Sequence, residues 1–279
     1  MNYRHIFHAG NFADVVKHAL LALVVDYLTR KDKPFFVLDT HAGLGAYDLD
    51  SEPARRTGES DDGIGRVLAA ESPPPELEPY RRALATVAAD RPGRWYPGSP
   101  RLARALLRPD DRLVAVELHP EDVEALKAEF ARDRQVKVVH LDGYTALKAY
   151  VPPKERRGLV LIDPPFEQPD EFARLIETLQ AAHAKWPTGI YALWYPVKGG
   201  GQVPRFHGAL AGAGLGDVLL TELTITSPDP GNRLTGTGMV IINPPWLLAD
   251  QASALLPWLT AVLGRDSGAG WRVEWLSRK

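Results

Sequence analysis

The chain contains no cysteine, so it can build neither a disulfide framework nor a thiolate metal site. That absence suits a reducing compartment. Long apolar runs are missing too. The best candidate, Ala19 to Leu28, is interrupted by Asp26 and runs at once into Thr29-Arg30-Lys31-Asp32-Lys33. It falls short of the roughly 18 apolar residues a membrane span needs. No apolar signal core opens the chain, so the expectation is a cytoplasmic protein with no membrane partner. A strong charge of either sign is also lacking: 33 Lys and Arg against 35 Asp and Glu give a formal net charge of −2 at pH 7. A nucleic-acid partner would have to be met by local groups. The candidates are Tyr3-Arg4-His5, Lys17-His18, Arg55-Arg56, Arg81-Arg82 and the run from Lys154 to Arg157. Each of these, taken singly, reads as a solvated face. What is present is 45% hydrophobic residues over 279 positions, the composition of a packed globular protein of one large or two ordinary domains.

Periodicity predicts strands over 34–39, 112–117, 136–140, 159–163, 189–195, 218–225, 238–243 and 271–275. Helical patterns lie between most of them, at 14–30, 121–133, 168–185, 203–212 and 249–263. Strands alternating with helices imply an α/β protein with a mainly parallel, doubly wound sheet. The interval from Gly45 to Arg112 breaks this rhythm. It contains Pro73-Pro74-Pro75 and a helical stretch near 76–89, and reads as a small, mostly helical insertion after the first strand. The expected division is 1–47 with 109–279 as the main domain and 48–108 as the insertion.

Acids punctuate the strands. Phe35-Phe36-Val37-Leu38-Asp39 runs into Thr40-His41-Ala42-Gly43-Leu44-Gly45, the pattern of a nucleotide-binding first βα unit. A dinucleotide fingerprint would need glycine where Asp48 stands, which disfavours a nicotinamide enzyme. The next strand ends at Glu117, placed to accept both ribose hydroxyls of an adenosine. The third is followed by Asp142-Gly143, which can bracket an adenine edge. In the fourth, Leu159-Val160-Leu161-Ile162 meets Asp163-Pro164-Pro165-Phe166. The prolines end the ladder because they lack an N–H. A carboxylate, a free carbonyl and an aromatic face then stand at the edge where α/β sheets bind ligands, a combination suited to a planar ring bearing an amine. Four strand-end acids with a glycine turn at the first resemble the S-adenosylmethionine pocket of Rossmann-like methyltransferases. Asp-Pro-Pro-aromatic resembles the signature of amino-methyltransferases acting on adenine. Asn243-Pro244-Pro245-Trp246 imitates that signature, but it lies far from the four acids in sequence and reads as a structural turn. His5 and His8 are three apart, yet no carboxylate–histidine cluster completes a zinc site, so no metal is expected.

The chain as a whole resembles the bacterial large-subunit rRNA methyltransferases that modify the 6-amino group of one adenine in 23S rRNA. The match runs nearly end to end. It takes in Tyr3-Arg4-His5, His8-Ala9-Gly10-Asn11, Asp14-Val15-Val16-Lys17-His18, Leu38-Asp39-Thr40-His41-Ala42-Gly43 and Tyr96-Pro97-Gly98-Ser99-Pro100. It continues through Glu117-Leu118-His119-Pro120, Asp142-Gly143, Asp163-Pro164-Pro165, the run from Tyr191 to Pro196 and Asn243-Pro244-Pro245-Trp246. The resemblance implies a Rossmann-like class I methyltransferase with a mainly parallel seven-stranded sheet, acting as a monomer on 23S rRNA before subunit assembly is complete. It implies S-adenosyl-L-methionine as cofactor, held by His18, His41, Gly43, Ser99, Glu117, Asp142, Gly143 and Asp163. It implies catalysis by Asp163, Pro164 and Phe166, and RNA contact by Tyr3, His5 and Lys17. One departure is Phe166, where the family pattern carries tyrosine; the ring face survives and the hydroxyl is lost. Read from the residues alone, His18 is a helix-face histidine, Lys17 a solvated charge and Ser99 a helix N-cap. The competing functions are a DNA-adenine or protein-glutamine methyltransferase and a catalytically silent RNA-binding Rossmann protein.

Overall fold

The computed structural model describes residues 4–199, 201–228 and 233–278. The chain opens with α1 (Phe12–Thr29) and β1 (Phe36–Asp39). An insertion follows, with β2 (Ala46–Asp48), α2 (Glu52–Thr57), α3 (Arg66–Ala69), α4 (Glu78–Asp90) and β3 (Trp95–Pro97). Then come α5 (Ser99–Leu106), β4 (Arg112–Glu117), α6 (Pro120–Glu129), β5 (Val136–His140), α7 (Gly143–Tyr150) and β6 (Gly158–Ile162). The chain continues through α8 (Glu171–Lys185), β7 (Ile190–Lys198), α9 (Gln202–Ala211), β8 (Val218–Thr224), β9 (Leu234–Ile242), α10 (Leu248–Leu263) and β10 (Gly270–Ser277).

The main sheet has eight strands in the order β10-β8-β9-β7-β6-β1-β4-β5, one more than the seven expected. The strands from β5 to β7 are parallel, and β9, β8 and β10 join by antiparallel pairing. The eighth strand arises because Gly270–Ser277 pairs along β8 and lengthens the antiparallel end. The parallel strands are continuous apolar runs because both faces are covered. Val37, Leu159 and Leu161 join the core beneath α1 and α10, while Phe36, Leu38, Val160 and Ile162 join the core beneath α7, α8 and α9.

Two features outside the sheet shape the site. Fifteen of the eighteen residues of α1 are buried, so this helix is a core element on all sides. It packs against α4, α5, α10, β6 and β9. The insertion is pinched at its base by the β2–β3 ribbon, in which Tyr47 pairs with Tyr96. It has no core of its own: Ile64, Val67, Leu77, Tyr80 and Ala83 share one apolar cluster with Leu20, Leu21 and Val24 of α1. Its backbone rests directly on the start of α1. The Ile64 N–H donates to the Gly10 carbonyl at 2.8 Å, and a Cβ on Gly63 would lie 2.1 Å from that oxygen. Helix α5 falls within the expected insertion, yet it packs on β1 and β4 in the crossover place between them.

Candidate active site

The carboxyl ends of β5, β4, β1 and β6 are neighbours in the sheet. They bring Asp142, Glu117, Asp39 and Asp163 to one edge in that spatial order. Over this edge opens a cavity of about 490 Å³ that reaches from Glu117 and Asp142 to Asp163, Phe166 and Trp194. That size suits a nucleotide-like ligand. His5, Lys17, His18, His41, Gly43, Ser99 and Gly143 also line it, as do Pro164 and Pro165. Of the residues expected at the site, only Tyr3 lies outside the described residues.

At one end, Glu117 is held rigid. The Gly43 N–H donates to one of its oxygens at 2.8 Å and the His119 N–H to the other at 2.7 Å. Each oxygen keeps a lone pair for a hydroxyl. Asp142 caps α7, accepting from the Thr145 N–H at 2.9 Å, and is paired with Arg174 at 3.2 Å. Burial opposes its ionisation, but the Thr145 hydrogen bonds and the Arg174 charge prevail and lower its pKa. Gly143 lies against β1: a Cβ there would meet the Thr40 carbonyl at 2.5 Å and the His41 ring at 2.8 Å. Burial pushes His41 down to about 4, so its ring is neutral near pH 7.

In the middle, Ser99 opens α5 without capping it. Gly98 is the N-cap, and the Ser99 hydroxyl instead donates to Asp39 at 2.6 Å. Asp39 is 1% exposed, and burial drives its pKa up to about 7 despite that bond and a backbone bond from His41. His18 is also 1% exposed, and burial brings it down to about 3.

At the far end stands an ion-pair chain that the sequence reading missed. Lys17 is 4% exposed, not a solvated charge. Its ammonium donates to Asp163 at 2.6 Å and sits 2.8 Å from Asp14. Asp14 also accepts from the Gly10 N–H at 3.0 Å and pairs with His5 at 2.8 Å. Burial acts to raise the Asp14 carboxyl, yet the His5 and Lys17 charges hold it well below the usual range. Burial acts to lower Lys17, and Asp14 and Asp163 outweigh it, so its pKa is raised. His5, expected at the RNA, is bound into this chain and packs edge-on against Tyr47, with ring centroids 5.2 Å apart. The i,i+3 spacing of Asp14 and Lys17 was the available signal.

Beside Asp163, Phe166 adopts φ +50°, a left-handed conformation that costs a bulky residue roughly 1–3 kcal/mol. Its ring meets Phe172 at 4.9 Å and Trp194 at 5.8 Å. Trp194 is fixed in turn by its indole N–H, which donates to Thr237 at 2.7 Å. The result is an apolar wall facing a carboxylate. Asn243-Pro244-Pro245-Trp246 follows β9, which runs antiparallel to β7, and so lies at the opposite edge of the sheet. The Asn243 amide is consumed there by the Pro187 and Gly189 carbonyls, at 2.7 and 2.8 Å.

The parallel half-sheet, the strand-end acids and the Asp-Pro-Pro-Phe turn define a Rossmann-like methyltransferase. A family model described as "Ribosomal RNA large subunit methyltransferase D, RlmJ" matches residues 32–277. The chain is 43% identical to ribosomal RNA large subunit methyltransferase J of Escherichia coli (strain K12) over 276 residues, covering 99% of each chain. It is 40% identical to the protein of the same name from Haemophilus influenzae (strain ATCC 51907 / DSM 11121 / KW20 / Rd) over 278 residues, again 99% of each. A crystal structure of a Legionella pneumophila protein superposes with a TM-score of 0.87 at 34% identity, covering 96% of this chain and 98% of the other. The chain belongs to the RlmJ family of large-subunit ribosomal RNA methyltransferases.

Proposed function

We propose that the chain transfers a methyl group from S-adenosyl-L-methionine to the 6-amino group of an adenine in 23S rRNA. The single observation that carries this reading is the placement of Asp163. It stands at a strand end between the nucleoside-sized cavity and the Phe166–Trp194 wall, with its charge met by Lys17.

The residues present fit the cofactor. The fixed Glu117 carboxylate faces the cavity, and the Nε2 atom of His18, on its wall, is buried with no partner among the described residues. Glu117 would hold the ribose, and Asp142 with Gly143 the adenine edge. His41, Gly43, Ser99 and His18 would hold the amino-acid end. Bound there, the cofactor supplies an electrophilic sulfonium methyl. The chain's own work is orientation. An adenine amine is a poor nucleophile, because its lone pair is delocalised into the ring. If Asp163 and the Pro164 carbonyl accept its two hydrogens, the nitrogen turns toward tetrahedral geometry and its lone pair becomes directed. The carboxylate also stabilises the positive charge that grows on nitrogen. One Asp163 oxygen is already engaged by Lys17, so the other is the one that meets the amine. Phe166 and Trp194 offer ring faces to a base taken out of its stack. His5 lines the cavity wall while paired with Asp14; in this reading it and Tyr3, from the segment that precedes α1 in sequence, would meet the RNA. In this reading the enzyme works as a cytoplasmic monomer, before subunit assembly is complete.

The test is transfer of labelled methyl to protein-free 23S rRNA, followed by mapping of the modified base. Wild-type protein should label one adenine at N6, and folded Asp163→Ala should lose about 10²-fold or more in rate. Label appearing on DNA or on a protein glutamine, or near-wild-type turnover by Asp163→Ala, overturns the reading.

A further inference from the structure

His18 presents a donor–acceptor question that the cofactor reading leaves open. Its Nδ1 lies 2.8 Å from the Tyr96 hydroxyl, and that hydroxyl lies 2.9 Å from the hydroxyl of Tyr80. Tyr80 and Tyr96 are 0% and 1% exposed. Both come from the insertion, Tyr80 from α4 and Tyr96 from β3. The other ring nitrogen, Nε2, is buried in the wall of the cavity without a partner among the described residues.

Two arrangements of protons are open to this row. In one, Tyr80 donates to Tyr96, Tyr96 donates to Nδ1, and Nε2 carries the imidazole proton. In the other, Nδ1–H donates to Tyr96, Tyr96 donates to Tyr80, and the Tyr80 proton is left without an acceptor inside an apolar core. Three donors share two hydrogen bonds here, so every arrangement leaves at least one donor unpaired among the described residues. Only the first leaves it at Nε2 on the cavity wall, where a ligand oxygen can accept it, instead of inside the apolar core. The row therefore runs from Tyr80 to His18, and the proton is displayed at Nε2.

We propose that Tyr80 and Tyr96 are positioning residues that hold His18 in its Nε2–H tautomer, so that a neutral N–H donor faces the carboxylate of an amino-acid-bearing nucleoside. The proposal rests on the S-adenosylmethionine reading of the cavity and names the group that His18 takes. The adenosine acids, Glu117 and Asp142, lie at the ends of β4 and β5, while His18 approaches from α1 on the other side of β1. The amino-acid end of a bound cofactor would fall there. Ser99 at the start of α5 lines the same end, where helix N–H groups also favour an anion. Because burial keeps the ring uncharged across neutral pH, recognition depends on which nitrogen bears the proton and not on ionisation.

Two measurements test this. In the ligand-free protein, ¹⁵N shifts of His18 should show a protonated Nε2 and a hydrogen-bonded, unprotonated Nδ1. A protonated Nδ1 overturns the proposal. Calorimetry should then compare S-adenosylhomocysteine with 5′-methylthioadenosine, which lacks the amino-acid carboxylate. Tyr96→Phe should weaken the first roughly tenfold, the loss of one charge-assisted hydrogen bond, and leave the second unchanged. His18→Gln, whose amide nitrogen can occupy the Nε2 position, should bind S-adenosylhomocysteine better than His18→Asn. Equal losses for both ligands in Tyr96→Phe would make the tyrosine row purely structural and overturn the proposal. Wild-type protein that shows the Nε2–H tautomer yet binds neither ligand would refute the cofactor reading itself, and with it the carboxylate assignment.

Discussion

Lys17 shows how much a single side chain can depend on the rest of the chain. Its ammonium sits between two carboxylates, and one of them, Asp163, is 146 residues away. Lys17→Met would leave the buried Asp14 with only His5 and the part-buried Asp163 without its cation. Breaking a buried pair in this way costs about 3–5 kcal/mol. The expected outcome is a clear fall in melting temperature, partly relieved by adding Asp163→Asn. Because Lys17 is not at the surface, the slope of log RNA affinity against log salt should not change; a slope shallower by about one unit would return Lys17 to a phosphate contact. Asp39 carries the opposite kind of strain. Burial raises its pKa from 3.8 to about 7, so the folded state takes up a proton between those values. Its contribution to stability is therefore whole below about pH 4 and is lost as pH rises through 7. Asp39→Asn keeps an acceptor for the Ser99 hydroxyl and removes the buried charge. Scanning calorimetry should find it close to wild type at pH 4 and more stable at pH 8, by on the order of a few kcal/mol. An equal difference at both pH values would place the Asp39 titration elsewhere. Asp39, Glu117, Asp142 and Asp163 were legible in the sequence because strand ends are marked by a change of composition. Lys17 and Tyr96 were not, because burial and hydroxyl partners are set by contacts between distant segments.

Element by element, legibility followed length and periodicity. The strands β4 and β5 were read to the residue, since each apolar run is bounded by charged groups. The short helix α7 was missed, and of α5 only the start at Ser99 was read. They have only eight residues each, α5 begins with Ser99-Pro100 and α7 begins at a glycine. The antiparallel end was harder still, because whether a strand returns up or down is decided by its partner. That direction is what separates Asp163-Pro164-Pro165 from Asn243-Pro244-Pro245, which look alike in sequence and end at opposite edges. Helix α7 also makes a sharp prediction. Its first residue, Gly143, sits so close to β1 that an added Cβ would meet the Thr40 backbone. Gly143→Ala should lower stability by roughly 1–3 kcal/mol, the usual range for overpacking, and weaken S-adenosylhomocysteine binding as α7 backs away from β1. Unchanged melting and unchanged affinity together would show that the element has slack there.

The whole molecule is nearly neutral, so any affinity for RNA must come from a few local cations and from stacking. The slope of log affinity against log salt should correspond to roughly two to five phosphate contacts. A slope near ten would require a basic surface that this composition does not provide. The sheet's mixed direction also separates the two ends of the chain. Residues immediately before α1 enter the cavity, where His5 lines the wall and Arg4 pairs with Glu121 and Asp122 of α6 at 2.9 and 3.0 Å. Strand β10 runs the other way along the sheet margin, and Ser277 pairs beside Val218 at the edge remote from the cavity. A group attached ahead of Arg4 would therefore start from the cavity side of the sheet, the side on which the proposed function needs open access. A fluorophore, affinity handle or surface tether belongs at the C-terminus, where it hangs from the back of the sheet and leaves that side clear.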